Sequence, residues 1–310
     1  MNIYKYTPDR KTGLQNAVIA LGFFDGVHIA HRELIRKTVE IAKRENLSPT
    51  VFTFSAEGTI KSDAPRLYST DERLKILSDL GIENVILVNF EDIANFEAED
   101  FVNTCLIDHF GAKAVVAGYN FRFGKGARGN KEILSTLMSN AGLCAYITEE
   151  ITFNEKTISS TLIRFYIASG KIEIANKLLG SPYFISGRVE SGNRVGKKLG
   201  FPTINIPLRE DYVQLGRGVY LTAVKIGNDF YRGITNVGTC PTFDERKMHT
   251  ETYILDYNAE IYGEKVKIYF LEYIREERKF ESPEDLRCEI KKNMRWAMER
   301  EIKWQEIGLK

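Results

Sequence analysis

The chain has 310 residues, of which 43% are hydrophobic and 27% charged, and its formal net charge is +1. This length and composition predict an ordinary globular protein with two domains, and the near-neutral charge gives no reason to expect binding to nucleic acid or to an anionic membrane. No apolar run approaches the ~20 residues of a membrane-spanning helix, and the polar, charged first residues do not resemble a signal peptide. The four cysteines form no CxxC pair, which is typical of a protein in the reducing cytoplasm.

The first half of the sequence alternates short apolar strands with helices, a pattern that indicates an α/β domain with a parallel sheet. Ser69 opens one of these helices with a capping box. The predicted strands are 17–24, 50–54, 84–88, 112–117 and 144–148, and the predicted helices are 33–45, 69–80, 98–109, 131–140, 161–169 and 172–179. Ligands of such sheets bind at the carboxyl ends of the strands, which places residues 22–31 and 118–129 at the same edge.

The second half contains strands without helices between them, which favours a small antiparallel β-barrel. A hairpin is predicted at Gly227-Asn228, and a terminal helix is predicted from 283 to about 303. The predicted strands are 183–189, 203–206, 218–226, 229–237, 251–255 and 265–273. The break at 180–182 sets the predicted boundary and gives domains 1–181 and 182–310.

The most informative stretch is 22–31, Gly-Phe-Phe-Asp-Gly-Val-His-Ile-Ala-His. Two glycines allow a tight turn between a strand and a helix, and His28 and His31 fall on one face of the first helical turn. Unpaired N–H groups at a helix N-terminus attract phosphate, and imidazoles beside them can donate hydrogen bonds to a phosphoryl group. The stretch therefore predicts a nucleotide phosphate site. Two surface histidines are the alternative, and a metal site lacks a third ligand at a suitable spacing.

The glycine-rich segment 118–126 follows a predicted strand and combines aromatic, amide and cationic side chains. Its rings can stack on a flavin or an adenine, and Arg122 and Lys125 can meet phosphate; the alternative is that the rings only fill core. Residues 124–129 also match the GxGxxG pattern, with Glu149 about 20 residues further on. The strand ends too early for the strand-turn-helix geometry of a dinucleotide site, so this match is not favoured.

Two further stretches fit phosphate binding. The hydroxyls at 159–161 stand at a predicted helix start with an arginine one turn later, although simple N-capping explains one of them. A glycine-rich, basic stretch at 187–200 can cradle phosphates with backbone N–H groups and cations, and a flexible basic hairpin is the alternative.

The strands of the second half carry oxygen ligands and a carboxylate. Thr203 and Asn205 lie two apart on a predicted strand, so their side chains point the same way. A hydroxyl and an amide oxygen suit Mg²⁺ that takes its other ligands from phosphates and water. Glu251 shares a strand face with Tyr253 and Leu255, and sequence alone leaves open whether this carboxylate is an edge residue or a catalytic base.

In this order and spacing the motifs resemble the bacterial bifunctional riboflavin kinase/FAD synthetase family, over nearly the whole chain. Segments 22–31, 118–124 and 158–164 resemble its FMN adenylyltransferase module, which is related to the HxGH nucleotidyltransferases. Segments 187–205, 236–243 and 275–280, together with Glu251, resemble its riboflavin kinase module.

The resemblance implies a Rossmann-like HxGH nucleotidyltransferase domain followed by a six-stranded antiparallel β-barrel with a terminal helix. It implies ATP-dependent phosphorylation of riboflavin to FMN, then adenylylation of FMN to FAD with release of pyrophosphate. The expected ligands are therefore Mg²⁺, ATP, riboflavin, FMN and FAD. Small molecules are the only expected partners, and the oligomeric state stays open.

The resemblance also assigns roles to residues. The expected catalytic residues are Glu251, His28 and His31, and Thr203 and Asn205 would hold Mg²⁺. Flavin contacts are expected from Phe121, Phe123, Asn236 and Arg275. The expected nucleotide and phosphate contacts are Gly22, Phe23, Asp25, Gly26, Asn120, Ser159, Ser160, Thr161, Arg164, Gly187, Gly192, Gly196, Lys197, Lys198 and Gly200.

Two positions depart from the family pattern. Ala30 replaces the glycine of His-x-Gly-His, and its methyl group could crowd the nucleotide; Ile204 replaces the alanine of Pro-Thr-Ala-Asn and is expected to face away from Thr203 and Asn205. Four alternatives therefore remain: a riboflavin kinase with a weakened adenylyltransferase half, a nicotinamide- or flavin-dependent reductase, a nucleotidyltransferase acting on RNA, and a non-catalytic flavin-binding module. The lack of a KMSKS stretch and the near-neutral charge count against the RNA-acting enzyme.

Overall fold

The structure is a computed structural model that describes residues 1–7, 13–55, 64–191, 200–239, 248–302 and 304. Its contacts divide the chain into two compact units, Met1–Ser160 and Thr161–Lys310. The functional boundary predicted at 181/182 stays a prediction.

Six parallel strands form the sheet of the first unit, as the alternating pattern predicts. They are β1 (Asn2–Lys5), β2 (Ala17–Leu21), β3 (Ser48–Phe54), β4 (Asn84–Val88), β5 (Ala112–Gly118) and β6 (Cys144–Thr148), in the spatial order β1-β4-β3-β2-β5-β6. β2 is wholly buried, as expected for a central strand of a parallel sheet. Because β3 and β4 lie on one side of β2 and β5 and β6 on the other, the carboxyl ends of β2 and β5 flank the point where the strand order reverses.

Helices and short turns connect these strands. Ser69 and Glu72 form the predicted capping box at the start of the second helix. The helical elements are α1 (Ile29–Glu45), α2 (Thr70–Asp79), α3 (Phe90–Ile93), α4 (Ala98–Asp100), a π-helix (Phe101–His109), a 3-10 turn (Lys125–Ala127) and α5 (Lys131–Asn140). A hairpin of β7 (Thr152–Phe153) and β8 (Lys156–Thr157) follows β6.

Two elements of the first unit differ from the sequence prediction. The polar pattern of β1 predicts no strand, yet β1 is an exposed edge strand that backbone pairing holds to β4. The segment 98–109, predicted as one α-helix, is α-helical only for its first turn and then π-helical. The wider π-turn brings more apolar side chains onto the core side, namely Phe101, Val102, Cys105 and Leu106.

An antiparallel sheet of six strands forms the second unit, in agreement with the sequence prediction. The strands are β9 (Tyr183–Arg188), β10 (Thr203–Pro207), β11 (Gly218–Ile226), β12 (Asp229–Thr239), β13 (Met248–Ile254) and β14 (Lys265–Arg275), in the order β10-β13-β12-β11-β14-β9. The sheet curls so far that a bridge between Glu190 and Asn205 links its two edges. The hairpin at Gly227-Asn228 is confirmed, with Gly227 at a φ of 58°.

Three helices accompany this sheet: α6 (Ser160–Ala168), α7 (Ile172–Leu179) and α8 (Pro283–Glu299). Asn176 of α7 donates to the carbonyl of Phe270 at 2.8 Å and accepts from the backbone N–H of Tyr183 at 2.7 Å, which joins α7 to β14 and β9. α8 begins with Pro283 behind the N-cap Ser282.

The two faces of the second sheet have different coverings. α8 packs on one face, which we call the outer face, where Ala297 meets Val219, Leu221 and Ile234. On the other face, the buried hydroxyls of Thr222, Thr235 and Thr252 form a chain of hydrogen bonds of 2.9 and 2.8 Å. Each of these hydroxyls has a partner, so the polar interior carries no desolvation penalty from an unpaired group.

Candidate active sites

The first candidate site is a cavity of about 720 Å³ at the carboxyl ends of β2 and β5. It lies where the strand order reverses, as expected for a ligand site in a parallel sheet. Twelve of the residues predicted for this half, or adjacent to them, line the cavity: Gly22, Phe23, Asp25, His28, Ala30, His31, Asn120, Phe121, Arg122, Phe123, Ser159 and Ser160. The topology of the sheet thus brings three distant sequence segments to one place.

The turn from β2 into α1 is strained. Gly26 has a φ of 80°, which glycine tolerates, but Phe24 and Val27 also have positive φ values of 54° and 42°. A β-branched residue in this region is a true outlier, and such strain concentrates at functional sites. Gly22 leaves room for the ring of Phe24, which a Cβ would approach to 3.1 Å.

The two histidines at the start of α1 form one stacked unit. Their ring centroids are 3.7 Å apart and the planes differ by 13°. His28 is the N-cap of α1, and its Nδ1 accepts from the backbone N–H of His31 at 3.4 Å. Because Nδ1 accepts, the proton of the neutral ring lies on Nε2. In the described part of the chain, the buried Nδ1 of His31 has no hydrogen-bond partner.

Both imidazoles are neutral. Burial lowers the pKa of His28 from 6.5 to about 4. Burial also lowers the pKa of His31 well below its ordinary value, with smaller contributions from the charges of His28 and Arg73. The pair can therefore donate hydrogen bonds at neutral pH without the cost of a buried cation.

Arg73 is a buried charge that the sequence reasoning missed. It donates to the carbonyls of Phe23 at 2.8 Å and of Phe54 at 3.0 Å, and its guanidinium lies 5.3 Å from the ring centre of Phe23. These carbonyls follow β2 and end β3, so Arg73 fixes the rim of the cavity. Its spacing was the available signal, because an arginine four residues before Leu77 falls on the buried face of α2.

Two further hydrogen bonds shape the same rim. The Asp25 carboxylate accepts from the backbone N–H of Leu67 at 3.3 Å, and the Ser160 hydroxyl donates to the Asp25 carbonyl at 2.7 Å. Asp25 therefore has a structural role in addition to the predicted one. Thr161 and Arg164 follow Ser160 on α6, which the contacts assign to the second unit, and their part in the site stays a prediction.

Aromatic rings line the other part of the first cavity. Phe121 and Phe123 stack with centroids 5.7 Å apart, and Phe123 is buried against Phe101. Phe121 is half-buried and offers more free ring surface. The GxGxxG match at 124–129 does not form a phosphate loop, because Gly129 pairs with Phe123 and α5 begins only at Lys131.

The second candidate site is a row of side chains across five strands. Asn205 pairs with Glu251, Glu251 with Asn236, Asn236 with Val219, and Val219 with Arg275. Paired residues on neighbouring strands project to the same face, which here is the outer face. Register therefore brings together four residues that the sequence separates by up to 70 positions (Asn205 to Arg275).

A cavity of about 280 Å³ lies between this row and α8. Thr203, Glu251, Asn236 and Arg275 line it directly. The other lining residues are Phe201, Val219, Ile234, Tyr253, Glu277, Arg278, Phe280, Leu286, Ile290 and Asn293. The cavity is mostly apolar and has a few polar groups at one end, the usual composition of a small-molecule site.

Arg275 is tied to α8. Its guanidinium lies 3.4 Å from Glu289, which also pairs with Arg278 and, at 3.8 Å, with Lys292. Burial lowers the pKa of Arg275, while Glu289 opposes that shift. An arginine stays charged in either case, so Arg275 is a fixed cation at the cavity wall.

The glycine-rich stretch before β10 is described only at its ends. Gly187 is required by packing, because a Cβ there would overlap Ile206, and Gly200 has a φ of 87°. Gly192, Gly196, Lys197 and Lys198 lie outside the described residues, so the phosphate-loop assignment stays a prediction. Elsewhere, no cluster of three His, Cys, Asp or Glu side chains suited to a metal occurs among the residues that are described.

Comparisons with known proteins match both halves. A family model for FAD synthetase matches residues 10–162, and one for riboflavin kinase matches residues 179–300. The bifunctional riboflavin kinase/FMN adenylyltransferase of Bacillus subtilis is 32% identical over 291 residues, which cover 91% of this chain and 92% of that protein. The protein of the same description from Buchnera aphidicola is 33% identical over 290 residues, with coverage of 90% and 92%.

A solved structure is similar over almost the full length. A crystal structure described as a macrolide-efflux protein from Streptococcus pneumoniae superposes with a TM-score of 0.87 at 30% identity, covering 97% of this chain and 100% of that one. In the described part of the present chain, no helix has the length and apolar character that crossing a membrane requires. Neither the two family models nor these relatives support the reductase, RNA-acting or binding-module alternatives.

Proposed function

The chain belongs to the bifunctional riboflavin kinase/FMN adenylyltransferase family, and from this premise we propose that it converts riboflavin to FMN in its second unit and FMN to FAD in its first. The observation that carries the proposal is the presence of two separately built cavities, one at the histidines of α1 and one at the row that contains Glu251. Both reactions consume ATP, so the cytoplasm is the proposed location.

In the first unit, a phosphate oxygen of FMN attacks the α-phosphorus of ATP, the bond to the β,γ-phosphates breaks, and pyrophosphate leaves. The protein supplies no covalent nucleophile, because FMN itself is the nucleophile. The Nε2–H of His28 and the free backbone N–H groups at the start of α1 would bind the triphosphate and stabilise the charge that develops on it. The buried Nδ1 of His31 would gain a partner from a bound ligand or water.

Side chains at the two ends of the first cavity suit different parts of the substrates. Ser159 and Ser160, with Thr161 and Arg164 on α6, are the proposed partners of the remaining phosphates. Phe121 and Phe123 form an apolar wall on which a flavin or adenine ring could stack, and Asn120 lies beside them.

In the second unit, the ribityl 5′-hydroxyl of riboflavin attacks the γ-phosphorus of ATP, the proton passes to Glu251, and ADP leaves. A general base of this kind contributes roughly 10²–10⁴ to the rate. Asn236 and Arg275 lie in the same row as Glu251 and are the proposed flavin contacts. Phosphoryl transfer depends otherwise on positioning and on neutralising the charge of the phosphates.

The proposed magnesium ligands fit the chemistry of the ion. Thr203 and Asn205 place a hydroxyl and an amide oxygen on one face of β10, half-buried, and Asn205 is the strand partner of Glu251. Mg²⁺ commonly takes one or two protein oxygens and completes its shell with phosphates and water. When bound there, the ion would neutralise charge on the ATP phosphates and help orient them.

Product analysis tests the proposal. The full chain is incubated with riboflavin, ATP and Mg²⁺, and separately with FMN, ATP and Mg²⁺, and flavins are resolved by chromatography. FMN is expected first and FAD second from riboflavin, with ADP and pyrophosphate in matching amounts. A chain that makes FMN but no FAD would support the second candidate, a kinase with a weakened adenylyltransferase half, which the Ala30 methyl at the cavity wall favours. A chain that forms neither flavin product would contradict the proposal.

A further inference from the structure

His249 is fixed on the same face of β13 as Glu251. The residue between them, Thr250, points to the opposite face, where it is buried and donates to the carbonyl of Ile206 at 3.0 Å. Thr252 is also buried there and hydrogen-bonds to Thr235 at 2.8 Å. These bonds lock the direction of alternate side chains along the strand, so His249 and Glu251 are held side by side.

The imidazole contacts the carboxylate. Nε2 of His249 lies 3.4 Å from Oε1 of Glu251. An ionised carboxylate only accepts hydrogen bonds, so Nε2 carries the proton and donates. The His249 side chain is 18% exposed and that of Glu251 is 39% exposed, so the more buried imidazole supports the more open carboxylate. Glu251 lines the second cavity and His249 does not.

The surroundings of the pair explain why such support matters. Gly238 is the β12 partner of His249, and a Cβ at Gly238 would overlap the carboxylate of Glu277. Glu277 lines the same cavity as Glu251, so two like charges border one small space. A glutamate side chain has three rotatable torsions, and a partly exposed one next to another carboxylate is poorly fixed without a donor.

We infer that His249 is a positioning residue for Glu251: its Nε2–H holds one carboxylate oxygen so that the other faces the cavity and accepts the hydroxyl proton. This inference rests on the proposed riboflavin kinase function. Because His249 does not touch the cavity, its loss should lower the rate of the chemical step and leave substrate binding nearly unchanged.

Three substitutions test the geometry. His249→Gln places an amide N–H where Nε2 stood, His249→Asn reaches only the position of Nδ1, and His249→Leu has no donor. Loss of a positioning contact is expected to lower the kcat of riboflavin phosphorylation roughly 10- to 100-fold in the Asn and Leu variants, while KM changes less than about twofold. The Gln variant should keep most of the wild-type kcat. FMN adenylylation by the same preparations, a reaction proposed for the other unit, controls for intact protein.

A double-mutant cycle identifies the route of the effect. If His249 acts through Glu251, His249→Leu should cause no further loss in a Glu251→Gln background. The inference is overturned if the Leu variant keeps the wild-type kcat, if only KM rises, if Gln is as poor as Leu, or if the Leu effect persists in full without the Glu251 carboxylate. Absence of kinase activity in the wild-type chain would instead remove the proposed function on which the inference rests.

Discussion

The stacked imidazoles of His28 and His31 are held neutral by burial, and this limits what they can do to a triphosphate. With Nδ1 of His28 engaged as an acceptor, the ring offers one N–H, at Nε2. A neutral donor in a buried site stabilises charge developing on phosphoryl oxygens and needs no reorganisation during the reaction. Their function, if the proposal holds, is to bind and stabilise the transition state rather than to transfer protons.

The titration of His28 is a direct test of this burial. Its ring is expected to titrate near pH 4 rather than 6.5. Because the folded pKa lies below the unfolded one, stability is complete above about pH 6.5 and is lost as the pH falls towards 4. The loss is on the order of 3 kcal/mol, at about 1.4 kcal/mol per pH unit. NMR titration of the ring C–H signals measures the midpoint, and a value near 6.5 would show that the ring is not buried.

A matched variant separates the ring charge from the helix cap. His28→Asn keeps an N-cap acceptor but cannot titrate, so its stability should fall less than that of the wild type between pH 6.5 and 4. Urea unfolding at both pH values gives the comparison. Equal losses in the two proteins would mean that other groups dominate the acid response.

Arg73 is expected to matter for the first reaction although it is not one of the predicted contacts. Arg73→Met leaves the carbonyls of Phe23 and Phe54 without their donor, at a cost of about 1–3 kcal/mol for each buried unpaired group. Adenylylation of FMN should slow and the first unit should melt earlier, while riboflavin phosphorylation stays near normal. Arg73→Lys should recover part of the activity, and a Met variant with unchanged adenylylation would argue against this role for the rim.

At the scale of elements, α8 forms one wall of the second cavity and is anchored at its end by Arg232. The guanidinium of Arg232 donates to the carbonyls of Met298 at 3.2 Å and Arg300 at 2.8 Å. Arg232→Met should loosen α8 and raise the KM for riboflavin several-fold, with little change in FMN adenylylation. Arg295→Met, the same change on the exposed face of α8, is the control. Equal kinetics in the two variants would contradict the anchoring role.

Most elements could be predicted from the sequence because their patterns are local. The apolar runs of β2 and β5, the capping box at Ser69 and the two-residue hairpin at Gly227 each depend on neighbouring residues. The π-helix was not predictable in this way, because apolar residues at 101, 102, 105 and 106 also fit an α-helical face.

The candidate sites were predictable as lists of residues but not as arrangements. That Asn205, Glu251, Asn236 and Arg275 form one row depends on the register of four strand pairs, which no local pattern fixes. The contact between His249 and Glu251 follows from strand alternation, yet alternation alone does not tell which i, i+2 pair is functional. Arg73 was missed because an arginine in an amphipathic helix is usually exposed.

At the scale of the whole molecule, the two activities should be separable. A fragment of residues 161–310 and a shorter one of residues 183–310 should both phosphorylate riboflavin and make no FAD. The shorter fragment lacks α7, and with it the hydrogen bonds of Asn176 and of Glu173, which accepts from the backbone N–H of Tyr273 at 3.1 Å. It should therefore melt at a lower temperature. A folded 161–310 fragment without kinase activity would count against independent sites.

The most direct test of two independent sites in one chain is a pair of rates measured on two variants of the full protein. Glu251→Gln should lower FMN formation from riboflavin by roughly 10²–10⁴ while FMN supplied from outside still becomes FAD at the wild-type rate. His31→Ala should do the reverse, slowing FAD formation by orders of magnitude while riboflavin phosphorylation is kept. If either folded variant loses both activities, or if neither variant loses one, the assignment of the two reactions to the two cavities is wrong.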